Sequence, residues 1–124
     1  MSKRLKLALI TSLFFINPSM ADFVAAEEAN KIGDRKTAFA EYQIAANEQD
    51  TRAYGKLGGM YLYGLGTEKN YPQAYVWFQM AYLNGDKEAE RFRNAASSMM
   101  SQAEYEQALK ATEAQRIKLN LELK

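Results

Sequence analysis

The sequence predicts an all-α fold, a short α-α solenoid of about three antiparallel helix hairpins. Three observations predict it: a segment that recurs 36 positions later, apolar stripes with the period of an α-helix, and glycines that fall between those stripes. A hairpin that is apolar on several sides must be stacked between others, and about three hairpins make a stable stack.

The recurring segment is seen when residues 36–53, "KTAFAEYQIAANEQDTRA", are written above residues 72–89, "PQAYVWFQMAYLNGDKEA". The alignment needs no gap, and seven of its 18 positions match like with like. The matched pairs are Ala38/Ala74, Phe39/Tyr75, Tyr42/Phe78, Gln43/Gln79, Ala45/Ala81, Asp50/Asp86 and Ala53/Ala89. Helical periodicity alone accounts for about half of these matches, so we interpret the two segments as copies of one unit.

The first two hairpins follow from turn signals around the repeat. Phe23 to Lys31 and Ala38 to Asn47 form the first pair of helices, with a loop four residues shorter than that of the second hairpin. In the second, a helix over Ala53 to Tyr63 precedes a helix that Pro72 begins, where its missing N–H costs nothing. Asn84-Gly85 ends that helix.

The third hairpin begins with a helix over Ala89 to Met99. Ser101 and Glu104 then fit a capping box at the start of a last helix, which can extend past Gln115. The tail "RIKLNLELK" alternates polar and apolar residues, a pattern that suits a strand better than a helix.

Three glycines lie inside one predicted helix, at Gly55, Gly58 and Gly59. Each weakens a helix by about 1 kcal/mol, so we expect them to permit close approach of neighbouring helices. The later glycines of "GLGTEKNYPQA" follow a helical stripe, whereas a phosphate-binding turn follows a strand and ends in Gly-Lys-Ser/Thr. The sequence therefore favours a turn between helices over a phosphate site.

The first 21 residues have the pattern of a secretory signal peptide. Lys3, Arg4 and Lys6 precede the apolar run "LALITSLFFI", and Ser19-Met20-Ala21 supplies small residues for cleavage. Cleavage would leave residues 22–124 as one repeat domain. An uncleaved membrane anchor is the alternative, although the run has only about half the apolar length that a spanning helix needs.

Composition restricts the functions that we expect. The exported form would have 13 Lys and Arg against 15 acidic residues and no basic block, so we expect neither nucleic-acid binding nor stable membrane insertion. The chain has no cysteine and no histidine, which removes disulfides, thiol chemistry and the commonest general base and zinc ligand. We expect no catalytic, metal or cofactor site.

Residues 53–89 carry a specific set of small residues, glycines and aromatics at fixed offsets across a whole hairpin. The set is Ala53, Leu57, Gly58, Tyr61, Gly64, Gly66, Tyr71, Ala74, Trp77, Phe78, Ala81, Gly85 and Ala89. This segment resembles a Sel1-like repeat (SLR), a relative of the tetratricopeptide repeat. The resemblance implies a right-handed superhelix and an adaptor or assembly role, commonly in the cell envelope, with a protein or peptide as partner.

Surplus aromatic residues are the candidates for partner binding, because exposed tyrosines often anchor protein interfaces. The candidate partner-binding residues are Tyr54, Tyr63, Tyr75, Gln79, Tyr82 and Arg91. Replacing the tyrosines at 54, 63 and 75 by alanine is expected to weaken partner capture without unfolding the domain. Some of these tyrosines would instead fill contacts between hairpins.

The leading hypothesis is a noncatalytic, exported protein-protein interaction module in the bacterial periplasm. One alternative is an immunity or inhibitor protein that binds an envelope toxin or enzyme. Another is a β-lactam-binding or hydrolysing enzyme, because some cysteine-rich SLR proteins are associated with that activity, but this chain has no cysteine. Uncovered solenoid ends are sticky, so homodimerisation stays open.

Overall fold

A computed structural model of the chain describes residues 18–120, and most of the expected signal segment, residues 1–17, lies outside that part. The described residues form six α-helices and no strand, which confirms the all-α prediction. The helices are α1 (Pro18–Lys31), α2 (Arg35–Asn47), α3 (Arg52–Tyr63), α4 (Tyr71–Leu83), α5 (Ala89–Ser98) and α6 (Gln102–Lys118).

Local sequence fixes where several helices begin and end. Asp34 caps α2 by accepting from the backbone N–H of Thr37, and Asn70 caps α4 in the same way. The predicted capping box at the start of α6 is present, since Ser101 and Glu104 each accept from the other's backbone N–H. The last helix runs to Lys118, so the strand-like alternation of the tail was misleading there; residues 121–124 lie outside the described part.

The helices pack in chain order, α1 on α2, α2 on α3 and α3 on α4. Helix α4 is central because it packs against α3, α5 and α6, and it is buried on nearly all sides. Tyr75, a candidate partner-binding residue, therefore does not lie on an open face. Helix α6 covers that side, and the Tyr75 and Tyr105 rings meet edge to face at 5.7 Å.

The glycines of α3 have two different roles. A Cβ at Gly58 would come within 2.8 Å of the Phe78 ring, so α3 and α4 can approach this closely only because Gly58 has no side chain. Gly59 has nothing within 4 Å of such a Cβ, and Gly55 has only Asp86 Oδ2, at 3.6 Å. Close helix packing therefore explains Gly58, as predicted, but does not explain Gly55 or Gly59.

The residues that carry the SLR resemblance occupy the interior or the turns of the second hairpin. Those in the interior are Ala53, Leu57, Gly58, Ala74, Trp77, Phe78, Ala81 and Ala89, while Tyr61 and Tyr71 are half-buried. Gly64, Gly66 and Gly85 adopt positive φ angles of 67°, 73° and 98°. At Gly66 the loop also lies against α2, where a Cβ would meet the carbonyl oxygen of Arg35 at 2.1 Å.

Candidate functional site

The structure removes two tyrosines from the predicted partner-binding set. Tyr54 is fully buried, and its ring packs against Trp77 of α4 with ring centroids 5.7 Å apart. Tyr75 is 8% exposed beneath α6. The expectation that both could be changed to alanine without unfolding is wrong, because removing a buried aromatic side chain costs about 3–5 kcal/mol.

Two further members of the set connect α4 to α5. Gln79 accepts a hydrogen bond from Arg93 Nη1, and the Arg93 guanidinium lies 5.3 Å from the Tyr82 ring. Both α4 residues are half-buried. Tyr82 also lines a groove of about 280 Å³ beside Lys87 and Glu90. The side-chain oxygen of Gln79 is already occupied by the hydrogen bond from Arg93.

Tyr63 and Arg91 are the predicted residues that are open to solvent, and they lie beside different grooves. Tyr63 is 59% exposed at the end of α3. Arg91 forms an exposed ion pair with Glu88 at 3.1 Å, and its guanidinium is 5.2 Å from the Phe92 ring. The predicted set does not form one patch.

The first of the two grooves, which we call the α1–α3 groove, has a volume of about 200 Å³. Gly59 leaves its floor open, and it is lined on the apolar side by Tyr42, Met60, Tyr63 and Leu65. Asn30, Arg35 and Lys56 provide polar groups. An exposed tyrosine beside an uncovered helix backbone is a suitable anchor for a polypeptide ligand.

The second, the α3–α5 groove, is larger, at about 420 Å³. Its apolar lining consists of Gly55, Phe78, Ala81, Ala89 and Phe92, and its charged rim of Arg52, Lys56, Asp86 and Glu88. The rings of Phe78 and Phe92 are stacked, with centroids 5.5 Å apart and planes 22° from parallel. The groove therefore presents an aromatic wall next to charges of both signs.

Gly55 and Lys56 line both grooves, so the grooves adjoin across α3. The open glycines Gly55 and Gly59 lie four residues apart and hence on one face of the helix. We call this the glycine face of α3. Sequence reasoning assigned these glycines to helix packing and so missed the site; the signal was that three glycines exceed what one contact with α4 requires.

A hydrogen-bonded bridge holds Lys56, one of the two cations that line the α1–α3 groove. The Tyr42 hydroxyl donates to the Glu27 carboxylate, and Lys56 Nζ lies 3.6 Å from the same carboxylate. This hydrogen bond and then the Lys56 charge lower the pKa of Glu27. Burial, together with the bond to Glu27, raises the pKa of Tyr42. The bridge ties α1 and α2 to the glycine face.

The Arg52 guanidinium is held in a similar way. It donates two hydrogen bonds to Asp50, at 2.9 and 2.6 Å, and lies 4.1 Å from the centroid of the Phe23 ring. The Arg52 hydrogen bonds lower the pKa of Asp50. Asp86, by contrast, makes no side-chain hydrogen bond or ion pair within residues 18–120.

The part of the chain that the structure describes contains no group of three or more acidic residues placed to hold a metal ion. None of the helices between residues 18 and 120 combines the length and apolar character needed to cross a bilayer.

Comparisons with known proteins support the repeat. No family model matches the chain. An uncharacterised Sel1-like repeat-containing protein of Schizosaccharomyces pombe is 36% identical over 69 residues, which cover 56% of this chain and 10% of that protein. The crystal structure of a protective antigen present in uropathogenic Escherichia coli strains, displaying an SLR fold, superposes with a TM-score of 0.73 and 27% identity, over 82% of this chain and 23% of that one.

The chain thus spans a small part of either protein's length. The Schizosaccharomyces pombe protein contains Sel1-like repeats, and the structural similarity to the Escherichia coli antigen covers most of the helical array. Together with the internal repeat and the six stacked helices between residues 18 and 120, these similarities show an all-α solenoid fold that matches the fold of Sel1-like repeat proteins.

Proposed function

We propose that the chain is a noncatalytic protein-protein interaction module, an SLR adaptor or scaffold that acts in the bacterial cell envelope after export. The observation that carries this proposal is the pair of adjoining grooves across the glycine face of α3. A protein segment laid over this face would contact helix backbone at Gly55 and Gly59, where no side chain intervenes.

The composition of the grooves suits a protein ligand. Interfaces combine an apolar centre containing aromatic anchors with a polar rim. Here Tyr63 supplies an exposed aromatic ring in one groove, and Phe92 supplies part of an apolar wall in the other. A stacked helical array presents such a surface already ordered, so binding loses little conformational entropy.

The ionisable groups near the grooves support a noncatalytic role. The two carboxyls there with shifted pKa values are engaged in contacts within the fold: Glu27 joins helices through Tyr42 and Lys56, and Asp50 binds Arg52 at the start of α3. A catalytic acid or base needs a pKa tuned near the working pH and a free approach to substrate. The hydrogen bonds to Glu27 and Asp50 instead lower the pKa of both carboxyls.

Export is proposed from the amino-terminal pattern alone, with its basic start, apolar run and small residues before Asp22. Cell fractionation tests it, because the full chain should be found in the periplasmic fraction, shortened by about 21 residues. A full-length chain in the cytoplasmic fraction would contradict the proposal.

Site-specific photocrosslinking in cells tests partner binding. A photoreactive phenylalanine analogue is placed at Tyr63 in the α1–α3 groove and, as the control, at Leu109, which is exposed on α6 outside both grooves. The proposal predicts a discrete protein adduct from Tyr63 that is absent from Leu109. Adducts that are the same at both positions would contradict it, and adducts of the chain with itself would indicate a structural oligomer.

A further inference from the structure

The α3–α5 groove occupies a place that is already filled in the preceding repeat. The second helix of each hairpin aligns at a shift of 36, so Tyr42 corresponds to Phe78 and Asp50 to Asp86. Helices α2 and α4 obey this shift at both ends, because they run from Arg35 to Asn47 and from Tyr71 to Leu83.

The first helices of the two hairpins align at a shift of 32, because the loop of the first hairpin is four residues shorter. Helix α1 ends at Lys31 and α3 ends at Tyr63, in agreement with this shift. Phe23 therefore corresponds to Gly55. In the gap-free alignment at a shift of 36, Ala53 falls on Ala89, so Arg52 corresponds to Glu88.

In the first repeat, two side chains fill the space beside the Tyr42 ring of α2. The Phe23 ring packs edge to face on Tyr42, with centroids 5.9 Å apart. The Arg52 guanidinium covers the Phe23 ring and is bound by Asp50. An aromatic ring, a guanidinium and an aspartate thus form one filled unit.

In the second repeat, neither a ring nor a guanidinium stands at the corresponding position, but the aspartate is kept. Gly55 stands where the first repeat has Phe23, and Glu88 stands where it has Arg52. Asp86 remains, with its Oδ2 atom 3.6 Å from the position of a Cβ on Gly55. The α3–α5 groove is the resulting space, walled by Phe78 and Phe92.

We infer that the α3–α5 groove binds an arginine of a protein partner, with an aromatic residue beside it, in the arrangement that Phe23 and Arg52 adopt in the first repeat. The guanidinium pairs with Asp86, and the aromatic residue packs into the space above Gly55 against Phe78 and Phe92. This inference rests on the proposed function and specifies its partner.

The charges around the groove agree with a cationic ligand. Its two basic rim residues are already paired, Arg52 with Asp50 and Lys56 with Glu27. The rim acid Glu88 is paired with Arg91. Asp86 is the rim group that has no partner among the described residues, so the unbalanced charge of the groove is negative. Its volume of about 420 Å³ lies within the usual range for ligand clefts, about 300–1,000 Å³.

A peptide titration followed by nitrogen-proton correlation NMR tests the inference on the exported protein purified from cells. The probe is the acetylated and amidated peptide Gly-Phe-Arg-Gly, and the matched probe has citrulline, an uncharged isostere, in place of arginine. We expect saturable shifts of the Gly55, Asp86 and Phe92 amides and binding at least about tenfold weaker for the citrulline peptide, because the charge-assisted pair is lost.

Two variants locate the contact. Asp86→Asn should weaken binding of the arginine peptide by about tenfold, whereas Glu106→Gln, which removes the same charge outside the groove, should not. The double variant Gly55→Phe/Glu88→Arg rebuilds the filled unit of the first repeat. It should unfold at a higher temperature and no longer bind the arginine peptide.

The inference is overturned if the arginine and citrulline peptides bind alike, if neither binds saturably, or if the folded double variant still binds. These outcomes leave the photocrosslinking result at Tyr63 unaffected, since that residue lines the α1–α3 groove. Conversely, peptide binding at Asp86 without any partner adduct in cells would uphold the arginine site and contradict the proposed cellular role.

Discussion

Adding one methyl group to α3 at each of two adjacent glycines should have opposite effects on stability. Gly58→Ala places a Cβ within 2.8–2.9 Å of three atoms of the Phe78 ring, closer than carbon atoms can pack. Gly59→Ala places a Cβ in open space, with nothing within 4 Å. Both changes improve helix propensity by about 1 kcal/mol.

The propensity gain cancels when the two variants are compared, and the difference isolates the contact between α3 and α4. Forcing an extra methyl group into a packed interior costs about 1–3 kcal/mol. Gly59→Ala should therefore raise the free energy of unfolding by about 1 kcal/mol. Gly58→Ala should lower it by up to about 2 kcal/mol, since the packing cost exceeds the propensity gain.

Urea unfolding followed by far-ultraviolet circular dichroism measures both values. The Trp77 fluorescence provides a second probe, because Trp77 is buried in α4 and its ring packs on Tyr54 of α3. Coincident transitions would establish two-state behaviour. Equal effects of the two substitutions, or a Gly58→Ala variant that is more stable than wild type, would refute the close approach of these helices.

Three other outcomes follow from individual contacts. Tyr54→Phe should raise the free energy of unfolding by about 1 kcal/mol, because its buried hydroxyl has no hydrogen-bond partner among the described residues; a lower urea midpoint would contradict this. Gly66→Ala should lower the free energy of unfolding by at least about 2 kcal/mol in the same assay, because its φ is 73° and its Cβ would overlap the carbonyl oxygen of Arg35. Gly33→Ala is the control: its φ is 82° but its surroundings are open, so it should lower the free energy of unfolding by only about 1 kcal/mol. The pKa of Glu27 in the folded protein lies below its ordinary value of 4.5, so its contribution to stability is present above pH 4.5 and is lost as pH falls through the folded pKa. Tyr42→Phe removes the hydrogen bond to Glu27 and should make the free energy of unfolding less sensitive to acid. An unchanged dependence of stability on pH would count against this hydrogen bond.

Much of the fold could be predicted because its signals are local. Caps, turn glycines and helical stripes determine element boundaries, and the capping box of Ser101 and Glu104 was predicted from four adjacent residues. The position of α6 was not predictable in the same way. Its packing over Tyr75 depends on contacts between helices far apart in the chain, and a single amphipathic pattern does not specify which neighbour covers a face.

The candidate site was less predictable, because exposure decides which residues can bind. Tyr54 and Tyr63 are both tyrosines of α3, yet one is fully buried and the other is 59% exposed. A glycine likewise has the same sequence signal whether a neighbour approaches it or a groove opens above it. Only the surroundings distinguish the two positions: a Cβ at Gly58 would meet the Phe78 ring, whereas a Cβ at Gly59 would have nothing within 4 Å.

The affinity of the partner for a variant with a filled groove tests most directly whether the glycine face binds protein. Gly59→Phe fills the α1–α3 groove without meeting any neighbouring atom at Cβ, and Ala103→Phe adds the same ring on an exposed position of α6 as a control. The titrant is the partner protein that photocrosslinking at Tyr63 identifies. Calorimetric titration should show that Gly59→Phe binds it at least about tenfold more weakly than wild type, whereas Ala103→Phe binds it with unchanged affinity. Equal affinities for wild type and Gly59→Phe would contradict binding at this face.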